Sequence, residues 1–178
     1  MSTRLVARGA VYAALYVVLT VSPGLNAISY GPLQFRVSEG LLVFACVDPV
    51  AVVGLTVGTA LANVASPTWV IDVWYGTLLT LATVLLMRRL GLRVIALLVP
   101  VVINGLGVPV EWLVLQGSDY GYPVNAALVS AGEAAVMFSV GLGLMLLIRA
   151  DVFEPVLGGR RDRRGGHDGA DLRGGTAT

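Results

Sequence analysis

The sequence predicts an all-α integral membrane protein: a bundle of six transmembrane helices with both termini in the cytoplasm. Three observations predict it. The composition is too apolar for an aqueous surface, six apolar runs alternate with turn-rich breaks, and arginines gather at alternate breaks. Of the 178 residues 56% are hydrophobic and 13% charged, with a mean hydropathy of +0.82. Soluble domains carry roughly 25% charged residues, so this supply cannot coat a water-facing surface, and the lipid bilayer is the first partner implied. The 12 basic residues are all arginine and balance 11 acids to a formal net charge of +1. That balance provides no field for phosphates and argues against nucleic acid as a partner. One cysteine, Cys46, lies in an apolar run, and one histidine, His167, lies in the polar tail. They exclude an internal disulfide framework, a multi-cysteine or histidine metal site, and a buried Ser-His or Cys-His pair. No cofactor is implied.

A helix needs about 20 apolar residues to cross the hydrocarbon, because its backbone polar groups must be satisfied internally. The first run extends from about Leu5 to Val21. Arg4 and Arg8 before its uninterrupted apolar part, about Gly9 to Val21, resemble the start of a signal peptide, but no convincing small-residue cleavage site follows, so a retained first span is expected. A long polar stretch, Ser22 to Arg36, leads to a short second run ending at Asp48-Pro49. The third run covers Val50 to Ala65, the fourth Trp69 to Met87, the fifth Leu92 to Leu115 and the sixth Val124 to Ile148. Residues 1–152 thus form the membrane domain, and 153–178 read as a disordered, Gly/Arg/Asp-rich cytoplasmic tail. With six spans, Arg4 and Arg8, the Arg88, Arg89 and Arg93 cluster, and everything from Arg149 onward fall on one side, leaving only Arg36 outside. Positive residues stay inside, so that side is cytoplasmic. Runs two and three are short enough for a re-entrant hairpin, but that would strand Asp48 at mid-membrane without an evident partner, so two short spans are preferred.

Polar residues sort by depth. Gln34, Arg36 and Glu39 enter the second span from outside; Asn63, Asp72 and Glu111 lie near outer ends of spans. Asn104 is near the middle of span five and Glu133 about nine residues below the outer end of span six. The inner halves hold little comparable. Ionisable groups at membrane depth cost a few kcal/mol each and are functional candidates by default. Helical spacing places Thr56, Thr59 and Asn63 on one stripe, Asn104 and Glu111 on another, Asp72, Gly76 and Thr80 on a third, and Tyr12, Tyr16 and Thr20 on a fourth. For the threonine and tyrosine stripes, hydrogen bonding between helices is the simpler account. Arg36 can neutralise one acid, not Glu39, Asp72, Glu111 and Glu133 together. The surplus suits a cation or a neutral heterocycle with several N–H donors. Trp69, Trp74, Tyr75 and Trp112 offer stacking faces or mark the interface, and Tyr30, Tyr120 and Tyr122 sit in outer loops. Ala10 and Ala14, with Gly9 and Ala13 beside them, form small faces suited to internal packing or to docking of another membrane subunit. No Walker motif is present, so energised transport needs ion coupling or a partner that hydrolyses ATP.

The stretch Tyr30-Gly31-Pro32-Leu33-Gln34-Phe35-Arg36-Val37-Ser38-Glu39 resembles the signature of the QueT family. These queuosine-precursor transporters are substrate-binding (S) components of energy-coupling factor (ECF) importers. The resemblance covers roughly residues 8–150, and Ala10-xxx-Ala14 looks like the face with which S components meet the transmembrane coupling subunit. It implies a small-molecule substrate, a 7-deazaguanine such as 7-aminomethyl-7-deazaguanine, or queuine, and as partners the coupling subunit and ATPase subunits of an ECF module. The substrate-binding candidates are Gln34, Arg36, Glu39, Asn63, Asp72, Tyr75, Asn104, Glu111 and Glu133; the partner-interface candidates are Ala10 and Ala14. The competing reading is a secondary transporter or channel for a small cation, which uses the same acids but expects polar groups along the inner half. An intramembrane enzyme with Glu111 and Glu133 as acid and base lacks a nucleophile–base pair or metal cluster. No enzymatic activity is expected.

Overall fold

The computed structural model describes residues 2–30, 33–115 and 120–157, and every regular element among them is helical. Contacts divide the chain into two units, Met1–Met145 and Leu146–Thr178. Among the described residues four helices are long and apolar enough to cross a membrane: Thr3–Val21, Trp69–Leu90, Val94–Val114 and Gly121–Arg149. Val37–Cys46 and Pro49–Asn63 are shorter apolar helices. All six apolar runs are therefore helical, and the second and third are the short ones. Gly31 and Pro32 of the ten-residue motif lie outside the described residues, as does the tail from residue 158 onward.

In the first unit, helix α1 (Thr3–Val21) is followed by the short α2 (Leu25–Ser29) and then a 3-10 helix, Val37–Cys46. Ten residues at about 2.0 Å rise reach about 20 Å, where an α-helix of that length would reach about 15 Å. Every residue from Ser38 to Cys46 is buried. A helix that is apolar all round must be surrounded, and this one packs against α1, α3 (Pro49–Asn63), α5 (Tyr75–Leu90) and α7 (Gly121–Val136). The short α4 (Trp69–Asp72) precedes α5. A 3-10 turn, Val94–Leu97, leads into α6 (Leu98–Leu115), which pairs with α7. After α7 the helix widens into a π-helical segment, Met137–Gly141, before α8 (Leu142–Arg149). The second unit holds the end of α8 and the single turn α9 (Glu154–Leu157).

Helices α1 and α3 approach closely, and glycines explain it. A Cβ on Gly54 would lie 2.6 Å from the Gly9 carbonyl oxygen, and one on Gly58 would lie 2.9 Å from Ala13 Cα. Lipid tails supply no hydrophobic drive for helix pairing, so close backbone approach and dispersion must supply it. Gly9 and Ala13 therefore face α3, whereas Ala10 and Ala14, one position further round, are exposed. The two small faces of α1 are thus separated by the fold: one is internal and the other looks outward.

The polar stripe of α1 forms a ladder onto the 3-10 helix and the residue that follows it. The Thr20 and Ser38 hydroxyls lie 2.6 Å apart, Tyr16 donates to Glu39 at 2.5 Å, and Tyr12 donates to Asp48 at 3.1 Å. Asp48 also caps α3 by accepting from the Val50 N–H at 2.9 Å, with Pro49 in the first turn. Sequence reading finds no partner for a deep Asp48; the fold provides one in Arg8, whose Nε lies 3.1 Å from Asp48 Oδ2. The pairing joins residues 40 positions apart, which no local pattern reveals. Arg88, near the end of α5, donates to the Ala45 carbonyl at 3.5 Å. One arginine from each of the first two clusters, Arg8 and Arg88, accordingly lies at the same end of the 3-10 helix.

These contacts set an expectation for stability in detergent. Gly58→Leu overpacks the α1–α3 contact and lowers stability by about 3 kcal/mol. Ala14→Leu, on the outward face, changes it by less than about 1 kcal/mol. Thermal unfolding of the two purified variants checks the difference; equal losses would mean that both small faces are internal.

Candidate functional site

A carboxylate taken out of water needs donors or a counter-charge, so the partners of the buried acids define the site. Glu39, in the first turn of the 3-10 helix, is 0% exposed. Its Oε1 accepts from Tyr16 and lies 3.8 Å from the Arg36 guanidinium. Its Oε2 lies 3.5 Å from Asn104 Nδ2 on α6, and that same nitrogen donates to Glu133 Oε1 on α7 at 2.9 Å. An amide nitrogen carries two hydrogens, so Asn104 bridges two carboxylates with one group. Glu133 Oε2 and Arg36 Nε are buried with no hydrogen-bond partner among the described residues.

The loop between α2 and the 3-10 helix brings Arg36 to these acids. Gln34 is buried in a left-handed conformation, φ 36°, and Phe35 N–H bonds the Ile28 carbonyl at 2.8 Å. The loop lies directly on α7 at Gly132, where a Cβ would collide with the Leu33 carbonyl oxygen. Glycine is required there by the contact, and Glu133 is the next residue. Arg36 is buried beneath the Tyr30 ring, 5.1 Å from its centroid, a cation–π arrangement that partly replaces lost water. It lies within electrostatic reach of Glu39, Glu133 and Glu111.

A second group lies at the junction of α3, α4, α5 and α6. The Ser66 and Thr68 hydroxyls both donate to Asp72 Oδ2, Thr68 at 2.5 Å. Asn63 Nδ2 bonds the Asp72 backbone carbonyl at 2.7 Å, and Gly76 leaves it room, since a Cβ there would lie 2.9 Å from that nitrogen. Asn63 Oδ1 has no partner among the described residues. The carboxyls of Glu111 and Asp72 are neighbours. Glu111 is 3% exposed, and neither of its oxygens accepts a hydrogen bond from a donor among the described residues. Tyr75 stands beside Glu111 and donates to the Gly107 carbonyl at 3.1 Å. Tyr122 donates to the adjacent Leu106 carbonyl at 2.9 Å. Both carbonyls lie in the turn before Pro109, next to Gly105, whose carbonyl is the one that the missing proline N–H leaves without a helical donor.

The nine candidate side chains therefore lie in two groups: Glu39, Asn104 and Glu133 in one, Asn63, Asp72, Tyr75 and Glu111 in the other. Arg36 pairs with Glu39 of the first, and Gln34 shapes the loop that places it. Trp69 and Trp74 are exposed, the latter 75%, as interfacial residues are, and Trp112 is half-buried. Thr56 and Thr59 bond carbonyls of their own helix, Val52 and Leu55. Sequence reading overlooked Ser66 and Thr68, although hydroxyls four and six residues before an acid at a helix start are a local signal. It also overlooked Gly132, whose contact is made across the fold.

Comparison with known proteins follows this geometry. A family model described as QueT transporter matches residues 6–150. The Queuosine precursor transporter QueT of Lactococcus lactis subsp. cremoris (strain MG1363) is 53% identical over 72 residues, which cover 40% of this chain and 42% of that protein. The match thus spans less than half of that relative. No solved structure matches the chain significantly. With its several apolar helices, the chain is a multi-pass protein of the cell membrane. Because the family model covers most of its length, the chain belongs to the QueT transporter family.

Proposed function

We propose that the protein is the substrate-binding membrane subunit of an ECF-type importer. It captures a queuosine precursor, a 7-deazaguanine such as 7-aminomethyl-7-deazaguanine or queuine, from outside and delivers it inward with an ATP-driven partner module. The reading is supported by the family and by the printed name of the relative, a queuosine precursor transporter. The observation that carries it is the first acid group. Glu39 and Glu133, held on one Asn104 amide beside Arg36, present fixed acceptors and donors within a buried site. A guanine-like edge offers adjacent N–H donors and a carbonyl, which such a set matches in paired, charge-assisted bonds.

In this reading the six apolar helices are six spans with both termini cytoplasmic, and the acids open toward the outside. The exposed Ala10 and Ala14 form the face that meets the coupling subunit, on the side of α1 away from Gly9 and Ala13. A secondary transporter or channel for a small cation would use the same carboxylates. Among the described residues no three His, Cys, Asp or Glu side chains converge to hold a metal ion, which favours the organic ligand.

Three outcomes are expected. Purified protein alone binds 7-aminomethyl-7-deazaguanine by calorimetry, independently of sodium or potassium, and Glu39→Gln weakens binding by about tenfold or more, the loss of about 1.4 kcal/mol. Unchanged affinity would remove Glu39 from the site. Reconstituted vesicles import the ligand only with the coupling and ATPase subunits and ATP; import by this chain alone on an ion gradient would exclude the subunit role. Ala10→Leu retains ligand affinity and lowers uptake in the complete assembly, and normal uptake would return that residue to a passive surface.

A further inference from the structure

The polar ladder of α1 has three rungs, and only the middle one ends on an acid of the proposed binding group. Tyr12 donates to Asp48, which Arg8 and the Val50 N–H already hold. Thr20 lies 2.6 Å from the Ser38 hydroxyl and donates to the Tyr16 carbonyl at 2.8 Å. Between them Tyr16, 0% exposed, gives its one hydroxyl proton to Glu39 Oε1 at 2.5 Å. Gly58 of α3 makes room for this side chain, since a Cβ there would lie 2.9 Å from Tyr16 Cβ.

The contacts of Glu39 are unequal in length, and the lengths rank them. An O–H donor on a carboxylate bonds best at about 2.5–2.7 Å and an N–H donor at about 2.7–2.9 Å. The Arg36 guanidinium, 3.8 Å from Oε1, supplies charge without a hydrogen bond. Asn104 stands 3.5 Å from Oε2, having its better bond to Glu133 at 2.9 Å. The last torsion of a glutamate side chain is soft and roughly two-fold, so the one short bond sets the plane of this carboxylate. Tyr16 occupies Oε1 and leaves Oε2, with only a long contact to Asn104, as the oxygen with accepting capacity to spare. We propose that Tyr16 is a positioning residue for ligand binding: it fixes the Glu39 carboxylate so that Oε2 is presented to the ligand, and itself makes no ligand contact. The inference rests on the proposed function, in which Glu39 belongs to the binding site. In Tyr16→Phe the rungs on either side persist and the ring fills the same space, so the change isolates the hydroxyl.

A double-mutant cycle on detergent-purified protein, read by calorimetry with 7-aminomethyl-7-deazaguanine, tests the role. The second member is Glu39→Met, similar in length and without a carboxylate to accept from Tyr16. Tyr16→Phe is expected to weaken binding by about fivefold or more in the wild-type background, and by less than about twofold in the Glu39→Met background. A tyrosine that only supports the fold, or one that touches the ligand itself, costs the same factor in both backgrounds. That outcome overturns the positioning role and leaves the proposed function standing, as does full affinity in Tyr16→Phe where Glu39→Met binds weakly. Unchanged affinity in Glu39→Met removes the acid through which Tyr16 acts, and the inference with it. A second measurement retains the hydroxyl and does not depend on the folding of Tyr16→Phe: a ring-fluorinated tyrosine is incorporated in place of Tyr16. Its fluorine resonance is expected to shift when the ligand saturates the protein, and to stay unmoved when the ligand saturates Glu39→Met. No shift with Glu39 present, or an equal shift without it, overturns the positioning role. Failure of the wild-type protein to bind the probe overturns the proposed function together with the inference.

Discussion

The constraint on which the structure depends is the satisfaction of one carboxylate, Glu39, with no exposure to water. Its partners come from three places: Tyr16 from α1, Arg36 from the loop after α2 and Asn104 from α6. Removing one partner of a buried charge pair destabilises by about 3–5 kcal/mol, comparable with much of a domain's stability. The positions of α1, the loop and α6 are therefore fixed relative to the 3-10 helix by chemistry as well as by packing. The same amide brings Glu133 in, since Asn104 Nδ2 also donates to Glu133 Oε1 at 2.9 Å.

Helix α1 links this interior to the surface. One side carries Thr20, Tyr16, Tyr12 and Arg8, each joined to the 3-10 helix or to Asp48. A neighbouring side, Gly9 and Ala13, presses on the glycines of α3. The remaining side presents Ala10 and Ala14 outward. A helix so constrained on two sides moves with the core, so anything that engages its third side acts on the first unit through a stiff element.

Much of this was legible in the sequence because lipid imposes strong patterns. Apolar runs reveal helices by length alone, and acids in such runs are conspicuous. The 3-10 character of Val37–Cys46 was not legible, since a segment buried on every side carries no periodic contrast between faces. The Arg8–Asp48 pair was hidden by separation along the chain. The glycines at 54 and 58 form a small-xxx-small pattern that was readable, yet attention to the alanines of α1 passed over it. Depth along the spans singled out these polar residues but could not sort them into their two groups. That division depends on which rotational face each helix turns inward, and on hydroxyls as modest as Ser66 and Thr68, which composition cannot rank.

The 3-10 helix has one further implication. Each of its residues advances the chain by about 120°, against about 100° in an α-helix. Inserting or deleting a single residue between Leu41 and Ala45 would swing Ser38 and Glu39 a third of a revolution away from Thr20 and Tyr16, while Asp48 stayed fastened to Tyr12 and Arg8. No local bulge absorbs such an offset where every flank is occupied. Descendants of this chain can therefore exchange one apolar side chain for another in that segment, but they inherit its residue count as a fixed reading frame.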